Sequence, residues 1–258
     1  MDISRKPPKN PKSRPISHAK ASVTVMDLPI CKQTRTDCEA MLARILSHPS
    51  ASPTLIFTPN AEMMLAAHRD PALRRLLKHA DLLLPDGIGT RILSCFRVKE
   101  RLPGIEMGEF LLSYSAKHSL RVFLLGGKPG VAFRAVKMLR DRYPGLRIVG
   151  THHGYFEADS EEEHAILNVI RKASPDLLIV CTGFPRQEKF LAKHRGDFPS
   201  VRIGIGLGGA LDVWAGDIRR APLLFRRCGL EWLWRLAREP KRIPRFFGNL
   251  IGFPPRKD

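Results

Sequence analysis

"LRVFLLGGKPGVAFRAVKMLRDRYPGLRIVG", residues 120–150, holds two short apolar runs, 120–127 and 146–150, with a helix-period segment at 129–142 between them. An apolar run of that length closed by glycine reads as a buried strand, and apolar residues recurring three and four apart read as a helix with one covered face. Strand, helix and strand joined by short Gly/Pro turns predict one unit of a largely parallel sheet.

The same alternation continues on both sides of this unit. Apolar runs recur at "TLIFT" (54–58), "DLLLP" (81–85), "DLLIVCTG" (176–183) and "VRIGIGLGG" (201–209), and helix candidates cover about 60–79, 87–96, 105–118, 160–173 and 185–195. The expected fold is therefore α/β and Rossmann-like, a largely parallel sheet with helices on both faces. Residues 1–20, "MDISRKPPKNPKSRPISHAK", almost lack large apolar side chains and read as a disordered basic arm. The α/β domain is assigned to 21–217, and a basic, aromatic C-terminal appendage to 218–258.

Charge follows that division. The 258 residues carry a formal net charge of +18, with six Lys/Arg against one acid in 1–20 and eleven against three in 218–258. A near-neutral body with basic ends points to an anionic surface met through the ends, either nucleic acid or lipid phosphates. No helix-turn-helix or RNA-binding signature supports the nucleic-acid reading. Cysteines at 31, 38, 95, 181 and 228 form no CxxC pair, which suits a reduced cytosolic compartment and argues against structural zinc. The N-terminal stretch has no apolar segment of signal-peptide type, and no run approaches the roughly 18 apolar residues of a membrane span. Membrane contact is expected to be peripheral.

Ligands of a parallel sheet bind beyond the carboxyl ends of its strands, so the stretches after each run carry the information. In order they are "TPNAE", "PDGIG", "GGKPG", "TGFPRQEKF" and "GLGGALDVWAG". Thr58, before Pro59 at a first helical position, reads either as a helix cap or as a polar group at the ligand edge. Asp86 divides the same way, between capping its helix and accepting a proton from a substrate hydroxyl. Gly126 and Gly127, and Gly208 in "IGIGLGG", offer bare backbone N–H groups to phosphate. Gly204, Gly206 and Gly209 also spell GxGxxG, which raises an NAD(P)-dependent oxidoreductase as a rival. That motif nevertheless closes the last strand of the body, and no acid-ended strand follows about 20 residues later. Gln187 is the candidate for a sugar or pyrophosphate contact, while Glu188 and Lys189 read as a solvated charged face. No DxD, GxSxG or HExxH occurs, so metal-assisted handling of a nucleotide diphosphate and hydrolysis are both disfavoured.

Taken together and in this order, "TPNAEMM", "ADLLLPDGIG", "RLPGIE", "VFLLGG", "TGFPRQEKF", "GIGLGGALDVWAGDIRRAP" and "GLEWLWRLAREPKRIPRF" resemble the WecG/TagA/CpsF glycosyltransferase family over about residues 54–247. The resemblance implies inverting transfer of a sugar from a UDP-sugar to a polyprenyl-diphosphate-linked acceptor at the cytoplasmic membrane face, in cell-surface polymer synthesis. N-acetylmannosamine, its uronic acid and glucose are the donor sugars it admits. It implies Asp86 as base with Thr58 and Asn60 facing it, and Gln187 and Asp212 at the sugar nucleotide. Arg101, Arg235, Arg242 and Arg245 would bind diphosphate or acceptor, and no metal or other cofactor is expected. Leu223 stands after "RAP" where the family often has an aromatic residue, which bears on local packing. Homo-oligomerisation is left open.

The tail itself reads in two ways. Leu230, Leu233, Trp234 and Ala237 would share one helical face against the body, and Arg235, Arg238, Arg242 and Arg245 would form a stripe if the helix continued. Pro240 and Pro244 favour two short helices instead. Aromatic and basic residues together also suit a bilayer surface, where apolar groups enter the head-group boundary and arginines meet phosphates.

Overall fold

The computed structural model of the chain describes residues 21–49 and 51–238. In chain order the strands are β1 (Ser22–Val25), β2 (Leu28–Cys31), β3 (Thr54–Phe57), β4 (Leu82–Leu83), β5 (Arg121–Gly126), β6 (Arg147–His152), β7 (Leu177–Cys181) and β8 (Ile203–Gly206). They form one sheet in the order β1-β2-β4-β3-β8-β7-β5-β6. Only β1 runs antiparallel, against β2, and every other pairing is parallel. Residues 120–150 form the expected unit, with β5 and β6 paired directly in parallel.

The helices are α1 (Arg35–Ser47), α2 (Ala61–Arg69), α3 (Pro71–Leu77), α4 (Gly87–Leu93), α5 (Gly104–Lys117), α6 (Val131–Arg142), α7 (Glu161–Ala173), α8 (Arg186–Lys193), α9 (Ala210–Trp214), α10 (Leu223–Arg227) and α11 (Glu231–Arg238). Strand alternation divides them between two cores. Val122 and Leu124, Leu177 and Ile179, and Ile203 and Ile205 face Leu42, Leu111, Leu139 and Trp214 of α1, α5, α6 and α9. Phe123 and Leu125, with Leu178 and Val180, face Met64, Ile166, Phe190 and Leu191 of α2, α7 and α8. Each such side chain withdrawn from water favours the fold by about 1.5–3 kcal/mol.

Local chemistry explains where elements start and stop. In α7, Ser160 accepts from the Glu163 N–H, three glutamates fill the first turn and Arg171 and Lys172 the last, so both ends of the helix dipole are matched. At the amino ends of β5, β7 and β8, Asp176 accepts from the Arg121 backbone and side chain and pairs with Arg202 at 3.1 Å. Burial works against its ionisation, but the two arginines hold its carboxyl below the usual range.

Three features differ from the sequence reading. The helix expected at 60–79 is two helices, because Asp70 accepts from the Ala72 N–H at 2.7 Å and Pro71 starts a new one. The β1–β2 hairpin and α1 went unassigned. Its two-residue turn places Met26 and Asp27 at φ 49° and 63°, a geometry that normally selects Asn-Gly, so the usual signal is missing. Cys31 and Cys38, separate in sequence, lie buried with their sulfurs 3.5 Å apart.

In the tail, the Trp234 ring sits 5.5 Å from that of Phe225. Leu230 and Leu233, expected on a packed face, are exposed, as are Leu223, Leu224 and Trp232. Pro240, Pro244, Arg242 and Arg245 lie outside the described residues, as does the arm 1–20. Among the described residues no helix is long and apolar enough to cross a membrane.

Candidate functional site

All the parallel strands end on one edge of the sheet, and the exits of β3, β4 and β8 are stitched together there. Thr58, 7% exposed, follows β3 and donates its hydroxyl to the Gly206 carbonyl at 3.1 Å. A Cβ on Gly104, the first residue of α5, would stand 2.9 Å from the Thr58 hydroxyl oxygen, so only glycine lets α5 begin against that side chain. The cap of α2 is Asn60, whose Oδ1 accepts from the Met63 N–H at 2.9 Å. Pro59 therefore lies before the helix and Thr58 does not cap it, contrary to the capping alternative.

Asp86 occupies the cap position of α4, yet its side chain makes no capping hydrogen bond. Its backbone N–H donates to the Pro59 carbonyl at 3.1 Å, which fixes the β4 exit to the β3 exit. Gly87 follows at φ +80°, turning the chain so that α4 starts beside α2, where a Cβ on Gly89 would sit 2.5 Å from Ala61 Cβ. Asp86 is partly exposed, as a group that meets substrate must be.

Across β8 the site is closed by α8. Gln187 accepts from the Gly208 N–H at 2.8 Å and donates to Glu188 at 2.8 Å. Its side chain lies over Gly206, where a Cβ would come within 2.8 Å of Nε2, and Leu191 lies over Gly204 within 3.0 Å of such a carbon. These two glycines of GxGxxG serve the approach of α8 to the sheet, which removes the structural basis of the dinucleotide reading.

The remaining sequence candidates are placed as follows. Gly126 has φ +140° and its missing Cβ would collide with the Cys181 carbonyl, while Gly127 donates its N–H to that carbonyl at 3.3 Å. The N–H groups of Gly127 and Gly208, expected to meet phosphate, are thus both engaged inside the protein. Asp212 lies in the first turn of α9, over Cys181, whose thiol burial pushes up to about 12. Arg101 donates to the Arg226 carbonyl at 2.5 Å, so it ties the α5 entry to α10. The backbone of Arg235 lies in α11.

Sequence reasoning missed two groups. Glu188, read as solvated, is 0% exposed, and burial raises its carboxyl to about 7 against the weaker opposing effect of the Gln187 amide. The signal was its place: with Gln187 and Leu191 it falls on the broad sheet-facing side of α8. The second is Glu106 of α5, which pairs with Arg35 and, at 2.6 Å, with Arg220; Arg220 also approaches Glu109 at 3.6 Å and Glu231 at 3.8 Å. Burial opposes ionisation of Glu106, but the two arginines outweigh it and lower its pKa. This network joins α1, α5 and α11.

Among the described residues, one group of three potential metal donors, His152, His153 and Glu162, has its ligand atoms within 4.8 Å of one another. It sits where β6 leads into α7, with β7 and β5 between it and β8. Arg186 grips the same loop through the Gly154 and Phe156 carbonyls, at 2.9 and 2.6 Å.

The site thus brings Asp86 and the buried Thr58 to the exits of adjacent strands at one edge of a parallel sheet, and a carboxylate at such an edge is suited to proton removal from a bound hydroxyl. Against known proteins, the model of the glycosyl transferase WecG/TagA/CpsF family matches residues 23–256. The N-acetylglucosaminyldiphosphoundecaprenol N-acetyl-beta-D-mannosaminyltransferase of Bacillus subtilis (strain 168) is 35% identical over 194 residues, covering 74% of each chain. The protein of the same name from Staphylococcus aureus (strain MW2) is 31% identical over 229 residues, 87% of this chain and 88% of the relative.

Proposed function

The chain belongs to the WecG/TagA/CpsF family of glycosyl transferases, and from that premise we propose that it transfers N-acetylmannosamine from its UDP derivative to a polyprenyl-diphosphate-linked N-acetylglucosamine. The relatives' names support that sugar and acceptor over the uronic acid and glucose. The observation that carries the reading is the set of contacts that brings Asp86, Thr58 and Gln187 to one strand edge: Asp86 N–H to Pro59, Thr58 hydroxyl to Gly206, Gly208 N–H to Gln187.

In this mechanism the acceptor hydroxyl oxygen attacks C1 of the donor from the face opposite UDP. The new C1–O bond forms as the C1–O bond to the β-phosphate breaks, its electron pair leaves with UDP, and the hydroxyl proton passes to Asp86. Configuration at C1 inverts. Thr58 and Asn60 shape the mouth beside the base, Asp212 bounds it from α9, and Arg235, Arg242 and Arg245 neutralise the diphosphate charge, a contribution that is often the largest in such transfers. No metal takes part. The exposed Leu223, Leu224, Trp232 and Leu233, next to the basic tail, support peripheral seating on an anionic bilayer at the cytoplasmic face.

Asp86→Asn tests the base. It should keep UDP affinity within about threefold and lose transfer by roughly 10²–10⁴-fold; near-normal turnover removes Asp86 from that role. Turnover of the wild-type protein should be undiminished in EDTA, and strict dependence on added Mg²⁺ or Mn²⁺ would overturn the metal-free step.

A further inference from the structure

Glu188 has no part in the chemistry above, yet it is a fully buried carboxyl with one oxygen, Oε2, that finds no hydrogen bond. Such burial costs stability, so its effect must lie in the bond it does make, from Gln187 Nε2 to Oε1 at 2.8 Å. Gln187 carries a donor and an acceptor that exchange places when its amide turns over. With the amide as found, Nε2 faces the carboxylate and Oε1 faces the Gly208 N–H at 2.8 Å. Turned over, the amide would set oxygen against carboxylate and NH₂ against N–H, two like pairs in a water-poor place. Above pH about 7, where burial finally lets the Glu188 carboxyl ionise, it is an acceptor only and selects one of the two orientations, and a bond to a charged acceptor is about twice as strong as a neutral one.

The selected orientation reaches the site through the backbone. Gly208 stands at φ +55° between β8 and α9. Its N–H anchors the turn from which Asp212 projects, and Gly206, under the same Gln187 side chain, receives the Thr58 hydroxyl. We propose that Glu188 is a positioning residue for transfer: it locks the Gln187 amide, and through it holds the β8–α9 turn and Asp212 in register with Thr58 and Asp86. This deepens the function proposed above and rests on it.

The test, run at pH 8, compares Glu188→Met, whose thioether is at most a weak acceptor, with Glu188→Gln, which can accept through one oxygen, in the full-length protein. Hydrogen exchange at the Gly208 amide, read without substrate, should speed up about tenfold or more in the methionine variant and stay within about threefold in the glutamine variant, with β5 and β7 amides unchanged in both. In steady-state transfer, the donor KM should rise about tenfold in Glu188→Met with a smaller change in kcat, and Glu188→Gln should recover most of it. Wild-type exchange at Gly208 and wild-type KM in Glu188→Met, or equal impairment of both variants, overturns the proposal. Should the methionine variant not fold, Glu188→Asp, which draws the carboxyl back by one methylene, must also speed Gly208 exchange, and unchanged exchange there overturns it equally. Failure of the wild-type protein to bind UDP would sink the donor assignment instead, and the Gly208 readout is independent of that.

Discussion

Removing the ionisable group at Glu188 should change how stability depends on pH, with a sign fixed by its burial. Its carboxyl titrates at about 7 in the folded protein against 4.5 ordinarily, chiefly through desolvation, and its hydrogen-bond partner, Gln187, is neutral. Between these two values the folded chain keeps a proton that the unfolded chain releases. Stability then falls as pH rises, because the slope follows the difference in bound protons between unfolded and folded states. A gap of about 2.5 units at about 1.4 kcal/mol each gives roughly 3 kcal/mol in all, of which about 2–3 kcal/mol falls between pH 5 and 8. The carboxyls of Asp176 and Glu106, held low by their arginines, act with the opposite sign and at lower pH, where protonation removes their contribution. Glu188→Gln abolishes the first effect and leaves the others. Urea unfolding of both proteins across pH 5–8 should show the variant gaining about 2–3 kcal/mol relative to wild type as pH rises. A stability difference flat in pH would refute the reasoning, because it would mean that Glu188 is ionised throughout.

Other perturbations probe the contacts that assemble the site. Thr58→Val leaves the Gly206 carbonyl without its 3.1 Å donor and should cost about 1–2 kcal/mol in urea unfolding, with Thr58→Ser restoring it; an unchanged midpoint would mean that the bond contributes nothing. Gly126→Ala forces a Cβ into the Cys181 carbonyl at a φ of +140° and should lower stability by more than about 2 kcal/mol in thermal melts; a wild-type melting temperature would contradict that close approach. Arg220→Met strips Glu106, Glu109 and Glu231 of a shared cation and should destabilise by about 1–3 kcal/mol while trypsin cuts faster within 223–238. Equal cutting rates would show that the tail is held by other contacts.

The layered parallel sheet was legible because its strands are short apolar runs closed by glycine and its helices are periodic. Buried on both faces, such strands need no partner-specific code. The β1–β2 hairpin was illegible for the opposite reason, since its Met26–Asp27 turn adopts a glycine-type backbone without glycine. At the site, Asp86, Thr58 and Asn60 could be named because strand exits in this architecture converge, but which of them caps a helix depended on where each helix begins. A shift of two residues in the start of α2 moved that role from Thr58 to Asn60. The glycines were recognised and their task was not: a close approach by α8 and an exposed phosphate cradle select the same residue type. Glu188 was misjudged because charge alone was read, while its neighbours on α8 already placed it toward the sheet.

Arg220 belongs to the basic C-terminal segment in sequence, yet its guanidinium closes a charge cluster begun by Arg35 and Glu106 on the body. The segment is therefore no interchangeable module. A chain that ends the body at residue 217 would leave Glu106 to Arg35 and Glu109 to Arg142, without the arginine that the two acids share. Successful exchange should require the acids of α5 to travel with the arginine that answers them.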